Sequence, residues 1–251
     1  MLAHAEFGAG PPVIFLHGLL GSKTNMTGIA RALADRYHTF VLDLRNHGDS
    51  FHHRSMTYGT MAADLGGFMD DHDLDSASIV GHSMGGKCAM QLALSFCERI
   101  DKLAVVDIAP KRYADPFWVV YLEAMRALDP GQLASRREAD RLLQASIPDP
   151  VYRQFLLSNL AKSPDGRYSW KPNLDALSAS QNDLAAEING SACDVETLFI
   201  RGGRSDYITD ADQDAITQLF PNSSLVTITG AGHLVHIEAR DEFSRVLSDF
   251  L

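Results

Sequence analysis

Between Ile79 and Gly86 the chain reads Ile-Val-Gly-His-Ser-Met-Gly-Gly, with a glycine two residues to either side of Ser83. An apolar run leads into this stretch, and helical spacing follows from Met84 to Phe96. In that context the serine occupies a sharp strand-to-helix turn, and its hydroxyl projects above the end of a sheet. Side chains at positions 81 and 85 would collide with neighbouring backbone. The helix that starts after Ser83 aims free N–H groups and the positive end of its dipole at the hydroxyl. This is the setting of a nucleophile, and such a serine needs a base, an acid to orient the base and donors for an oxyanion.

Candidates for each role lie elsewhere in the chain. Gly230-Ala231-Gly232-His233 follows the last apolar strand, and a histidine on a glycine-rich loop can swing over the serine as general base. His236, three residues on, competes for the role and is read as peripheral. Leu16-His17-Gly18-Leu19-Leu20-Gly21 ends an earlier strand, so the N–H groups of Leu19 and Met84 are the expected oxyanion donors. His17 is read as structural. Two residues compete for the acid. Asp107 ends the strand after the nucleophile helix; Asp206 follows the next strand at the spacing Gly203-Arg204-Ser205-Asp206. Either carboxylate would orient His233 and stabilise its imidazolium.

The elements that must position these groups are legible as a pattern. Short apolar strands at Val13–Leu16, Thr39–Asp43, Ala77–Val80 and Leu103–Val106 alternate with amphipathic helical stretches up to about Pro110. Thr57 is the expected N-cap of the helix carrying Met61, Leu65, Phe68 and Met69. Strands resume at Thr197–Ile200 and Leu225–Ile228, and a helix carries Phe243, Val246, Leu247 and Phe250. Continuous apolar strands separated by helices predict a mostly parallel sheet covered on both faces. Residues 111–194 read differently. They are helical in pattern, without a strong strand, and Pro148, Pro150, Pro164 and Pro172 punctuate them. The expectation is an α/β core of residues 1–110 and 195–251, interrupted by a helical insertion over 111–194.

These residues carry a resemblance. The blocks His17-Gly18-Leu19-Leu20-Gly21-Ser22, Asp43-Leu44-Arg45-Asn46-His47-Gly48, Gly81-His82-Ser83-Met84-Gly85-Gly86-Lys87, Asp107-Ile108-Ala109-Pro110 and Gly230-Ala231-Gly232-His233 span almost the whole chain. Together they resemble the α/β-hydrolase superfamily and, more narrowly, the YbfF-type serine esterases with their animal relatives. The resemblance implies an α/β-hydrolase fold with a helical cap and a serine esterase acting on short to medium acyl esters, with acyl thioesters as a further class. In YbfF-type esterases the loop after the later strand resembles Gly-Gly-x-Ser-x-Tyr. Ser205 then takes the usual acid position, which favours Asp107 as the acid and leaves Ser205 an assisting hydroxyl.

Composition narrows the rest. The 251 residues are 45% apolar and 22% charged, enough for one sizeable core. Lys+Arg 22 against Asp+Glu 32 gives −10, which lacks the basic footprint of a nucleic-acid binder. No run approaches the roughly 18 apolar residues of a membrane span. Three cysteines, Cys88, Cys97 and Cys193, without a CxxC spacing, are read as reduced thiols in a cytoplasmic protein. The pair His52-His53 and the cluster Asp70-Asp71-His72-Asp73 are read as solvated surface, and no metal or organic cofactor is expected. Lys87 is read as a surface or helix residue. Lys111, Arg112 and Arg204 are candidates to meet an anionic leaving group. Phe117, Trp118, Tyr121 and Phe155 supply aromatic surface for a substrate pocket over Ser83. The expected partner is a small-molecule ester or thioester, and the expected state a monomer or homodimer. A C–C bond hydrolase, a perhydrolase and a ligand sensor that has lost turnover are the rival readings on the same scaffold.

Overall fold

The computed structural model describes residues 1–114 and 118–251. Its central sheet has seven strands: β1 (His4–Phe7), β2 (Pro12–Leu16), β3 (His38–Leu42), β4 (Ala77–His82), β5 (Ile100–Val106), β8 (Thr197–Gly202) and β9 (Ser223–Ile228). They lie in the order β1-β3-β2-β4-β5-β8-β9. Only β1, at the edge, runs antiparallel to its neighbour; the remaining pairs are parallel. The apolar strand runs are explained by burial on both faces. Along one face Val13, Phe15, Val41, Val80, Ala104, Val106, Leu198 and Ile200 pack beneath α1 (Thr27–Ala32) and α11 (Arg240–Phe250). Along the other, Ile14, Leu16, Phe40, Leu42, Ile79, Leu103, Val105 and Phe199 pack against α2 (Tyr58–Asp71), α3 (Met84–Ser95) and α9 (Gln213–Leu219). Thr57 caps α2, its hydroxyl accepting from Thr60 N–H at 3.2 Å.

Between β5 and β8 the chain leaves the sheet for α4 (Trp118–Ala127), α5 (Arg136–Leu143), α6 (Pro150–Leu157), α7 (Leu174–Ala179) and α8 (Gln181–Ala185). Side chains of Ser135, Asp149 and Asn173 cap three of these, and Pro150 opens α6 where its missing N–H costs nothing. The segment is not wholly helical. β6 (Leu160–Lys162) and β7 (Tyr168–Trp170) form an antiparallel hairpin. Three-residue strands give too short an alternation to be read in sequence; the turn at Gly166, with φ +89°, closes the pair. Leu122, Met125, Leu143, Leu156, Leu157 and Leu177 continue the core of the sheet into this insertion.

The cysteine expectation is corrected. Cys97, just before β5, and Cys193, just before β8, form a disulfide across a separation of 96 residues, and Cys88 alone is free and buried. Because β5 and β8 are neighbours, their entries converge and bring two distant thiols together. In the chain-entropy account a closed loop of this length is worth roughly 4–5 kcal/mol at most.

Candidate active site

The glycines around Ser83 are where sterics decide the fold of the site. A Cβ on Gly81 would lie 2.4 Å from Gly85 O, and one on Gly85 would lie 2.6 Å from both Leu16 O and His17 O. Ser83 itself has φ +52°, a left-handed conformation that costs a side-chain-bearing residue about 1–3 kcal/mol. Its N–H donates to Val106 O at 2.9 Å, so the sheet ladder supports the strained turn. The main-chain N–H groups of Leu19 and Met84 take part in none of the turn and loop hydrogen bonds among the described residues. Both residues lie beside Ser83 in the lining of one chamber.

Ser83 Oγ is 3.0 Å from His233 Nε2, and His233 Nδ1 is 2.8 Å from Asp107 Oδ2. Asp107 ends β5 with φ +51° and is completely buried. Its Oδ1 accepts from Gly202 N–H at 2.9 Å, and its Oδ2 also accepts from the Ser205 hydroxyl. Ser205 therefore holds the carboxylate and not the imidazole. Asp206 is exposed, in the rim of an open groove beside His233, with no hydrogen bond to the ring. Tyr207 stacks on the imidazole at 3.9 Å between ring centres.

Three features of the site were not legible as such. His82 is buried, and its Nε2 donates to the main-chain carbonyl of His233 at 2.8 Å, fixing the loop that carries that histidine. Burial, with His236 and His233 nearby, holds its pKa well below the usual histidine value, so the ring is neutral. His236 is not peripheral: it is buried with its ring 4.6 Å from that of His82, and burial pushes its pKa down to about 3. The short α10 (Val235–Glu238) turns it inward. Lys87 is not a surface residue either. Its Nζ donates to Lys111 O at 2.8 Å and to Ala186 O, pinning both ends of the insertion to α3. The rings of Tyr58 and Tyr113 flank it, and burial with Arg112 nearby brings its pKa down to about 7. Burial of this kind is set by tertiary packing; the one sequence signal was position, since His82 and Lys87 flank the serine within its own motif.

Over Ser83 a chamber is lined by Leu19, Leu20, Trp118, Tyr121, Tyr152, Phe155, Leu156 and Tyr207. The expected aromatics Trp118, Tyr121 and Phe155 thus meet there; Phe117 lies outside the described residues. Tyr152 was missed, although its spacing to Phe155 and Leu156 puts all three on one side of α6. Two of the expected cations are already engaged, Lys111 with Asp212 at 2.7 Å and Arg204 with Glu238 at 2.7 Å. Among the described residues no cluster of His, Cys, Asp and Glu is arranged to hold a metal ion.

A doubly covered parallel sheet carrying a serine on a strand-to-helix turn, with a histidine and a buried carboxylate in line, defines an ester-hydrolysing enzyme of α/β-hydrolase type. The sequence profile of the alpha/beta hydrolase fold matches residues 11–240. The chain belongs to that family. It is 37% identical to the sn-1-specific diacylglycerol lipase ABHD11 of Mus musculus over 96% of this chain and 81% of that protein. It is 33% identical to esterase YbfF of Escherichia coli K12, over 96% and 92%. Among solved structures, one described as a marine microorganism esterase superposes with a TM-score of 0.97 at 38% identity, covering 100% of this chain and 99% of that one.

Proposed function

We propose that Ser83, His233 and Asp107 hydrolyse small carboxylic esters through an acyl-enzyme. The observation that carries this reading is the continuous line from Ser83 Oγ through His233 to buried Asp107, at 3.0 and 2.8 Å. Asp107 keeps the proton of neutral His233 on Nδ1, which leaves Nε2 as acceptor. His233 takes the Ser83 proton as Oγ attacks the ester carbonyl. The N–H groups of Leu19 and Met84 hold the oxyanion of the tetrahedral intermediate. His233 then protonates the departing alcohol, deprotonates water and returns the proton to Ser83 as the acyl group leaves.

Residues 1–110 and 195–251 act in this reading as the catalytic core and 111–194 as a cap that encloses the acyl group. Ester hydrolysis with multiple turnovers on a chromogenic acetate or butyrate is the direct test; a single-turnover burst would sink it. Neutral leaving groups suit the site better than anionic thiols, because Lys111 and Arg204 are paired with carboxylates. Thioesters therefore belong in the same chain-length screen as a second substrate class. The C–C hydrolase, perhydrolase and sensor readings are not favoured. The protein acts on small molecules without nucleic acid, as a monomer or homodimer.

The cap aromatics set acyl length. Truncating Trp118 to Ala opens the chamber wall and shifts the kcat/KM ratio toward octanoate over butyrate esters by at least about 10-fold, the scale of a few methylenes in an apolar pocket. An unchanged chain-length profile with reduced stability would show that Trp118 only holds the cap in place.

No helix among the described residues is long and apolar enough to cross a membrane. A cytoplasmic location is part of this proposal, the Cys97–Cys193 disulfide stands against it, and the cysteines therefore test it. Reducing compartments disfavour disulfides. Protein trapped with a thiol reagent straight from cells, then denatured, should expose three thiols if it resides in the cytoplasm. One thiol, that of Cys88, would place it in an oxidising compartment.

A further inference from the structure

The turn that presents Leu19 is held in a strained form from two sides. Gly21 N–H donates to Gly18 O at 3.0 Å, making Leu19 and Leu20 the central residues of a turn. Leu20, the second of them, has φ +58°, where such turns ordinarily carry glycine. Nothing in a leucine side chain favours that conformation, so other groups must impose it. His47 holds the peptide on one side. Its Nδ1 donates to Arg45 O at 2.9 Å, which leaves Nε2 as an acceptor for Leu20 N–H at 3.1 Å. His47 is fully buried, and burial brings its pKa down to about 3, so that acceptor is present at every working pH.

The other side is held from the insertion. Asn159, between α6 and β6, is buried, and its Nδ2 donates to Leu20 O at 2.6 Å across 139 residues of sequence. The same Nδ2 donates weakly to Leu156 O at 3.3 Å, while Oδ1 is buried without a partner. A buried orphan acceptor is costly, and the opposite amide orientation would set Oδ1 against two carbonyls. The side chain is thus committed to its donor role toward Leu20. The same part of the insertion also docks on the loop that carries His47: Asn173 N–H donates to Asn46 O at 2.9 Å.

We propose that Asn159 is a positioning residue that couples seating of the insertion to the oxyanion turn, so that Leu19 N–H is aimed at the reacting carbonyl only when the insertion is docked. This rests on the assignment of Leu19 as an oxyanion donor. Asn159 does not touch the reacting atoms; it acts through the Leu20 peptide. The enzyme then completes its oxyanion hole as it encloses the acyl group, and an open, solvent-filled site stays slow.

Asn159→Leu removes the donor and the orphan acceptor together at an equal number of side-chain heavy atoms; it leaves Leu20 O without this donor, so the thermal midpoint is measured beside kcat to separate loss of fold from loss of positioning. The expected result on a short ester is a fall in kcat of about 10- to 100-fold, below the loss of an entire oxyanion donor. KM stays within about twofold and the pH profile of kcat is unchanged, because uniform binding and His233 are untouched. A boronic acid, which forms a tetrahedral adduct on Ser83, binds more weakly by the same factor as kcat falls. Adding Leu20→Gly, which adopts the left-handed conformation without strain, recovers part of kcat. Unchanged kcat in Asn159→Leu, a loss of kcat without weaker boronate binding, or no recovery in the double variant would each overturn the coupling. Inactivity of Ser83→Ala, measured alongside, tests the site itself, so a negative result at Asn159 counts against the coupling alone.

Discussion

Ser83→Ala is expected to lose about 10⁶ in kcat while folding normally, since the members of such a unit act together and removal of one removes the whole nucleophilic route. What remains is binding and the oxyanion donors, which alone give roughly 10³–10⁴ over the reaction in water. The fold is not at risk. Ser83 makes its structural hydrogen bond through its main-chain N–H to Val106 O, which alanine retains, and its left-handed φ is equally strained with either side chain. The thermal midpoint should therefore shift by no more than a few degrees. A fluorophosphonate probe should label the wild-type protein at Ser83, because the probe needs a hydroxyl activated by His233 Nε2 at 3.0 Å. Labelling at another residue, or more than a small fraction of the activity retained in the variant, would remove Ser83 from the mechanism.

What could be read in the sequence depended on the range of the interaction involved. The strand, turn and helix around Ser83 carry a signature eight residues long, because a side chain at Gly81 would strike the main chain of Gly85 and one at Gly85 would strike the main chain of Leu16 and His17 at the end of β2. The alternation of apolar strands and helices was visible because both faces of the central strands β2 and β4, of the later parts of β3 and β5 and of the first part of β8 are buried, so those runs are apolar. The β6–β7 hairpin was not visible, since three residues per strand carry no period. Burial of charge was least legible of all. Lys87 reads as a surface cation until the insertion folds back and supplies two carbonyls. His236 looks outward in sequence until α10 turns it under His82. Cys97 and Cys193 carry no motif, and only the adjacency of β5 and β8 makes them partners. The place of Tyr152 in the chamber wall needed the docking of α6 over the sheet.

The acid presents the sharpest contrast between two residues that sequence alone kept in competition. Asp107→Asn is expected to cost up to about 10⁴ in kcat, whereas Asp206→Asn should stay within about threefold of wild type. The carboxylate of Asp107 is fully buried and accepts three hydrogen bonds, from Gly202 N–H, the Ser205 hydroxyl and His233 Nδ1. An asparagine that keeps its oxygen on Gly202 N–H places its NH₂ at the Oδ2 position, where it faces both the Ser205 hydroxyl, which can turn to accept, and His233 Nδ1. The imidazole must then accept at Nδ1 and carry its proton on Nε2, where it can no longer take the proton of Ser83. The imidazolium that forms during attack also loses its buried counter-charge, so its formation becomes harder. Asp206 offers neither effect, because it is exposed and makes no hydrogen bond to the ring. Both variants should keep KM near wild type, since neither side chain lines the chamber over Ser83. Measurement of kcat across pH with a butyrate ester decides the matter. A crippled Asp206→Asn beside an active Asp107→Asn would move the acid to the loop after β8, and Asp107 would then be a structural carboxylate at the end of β5.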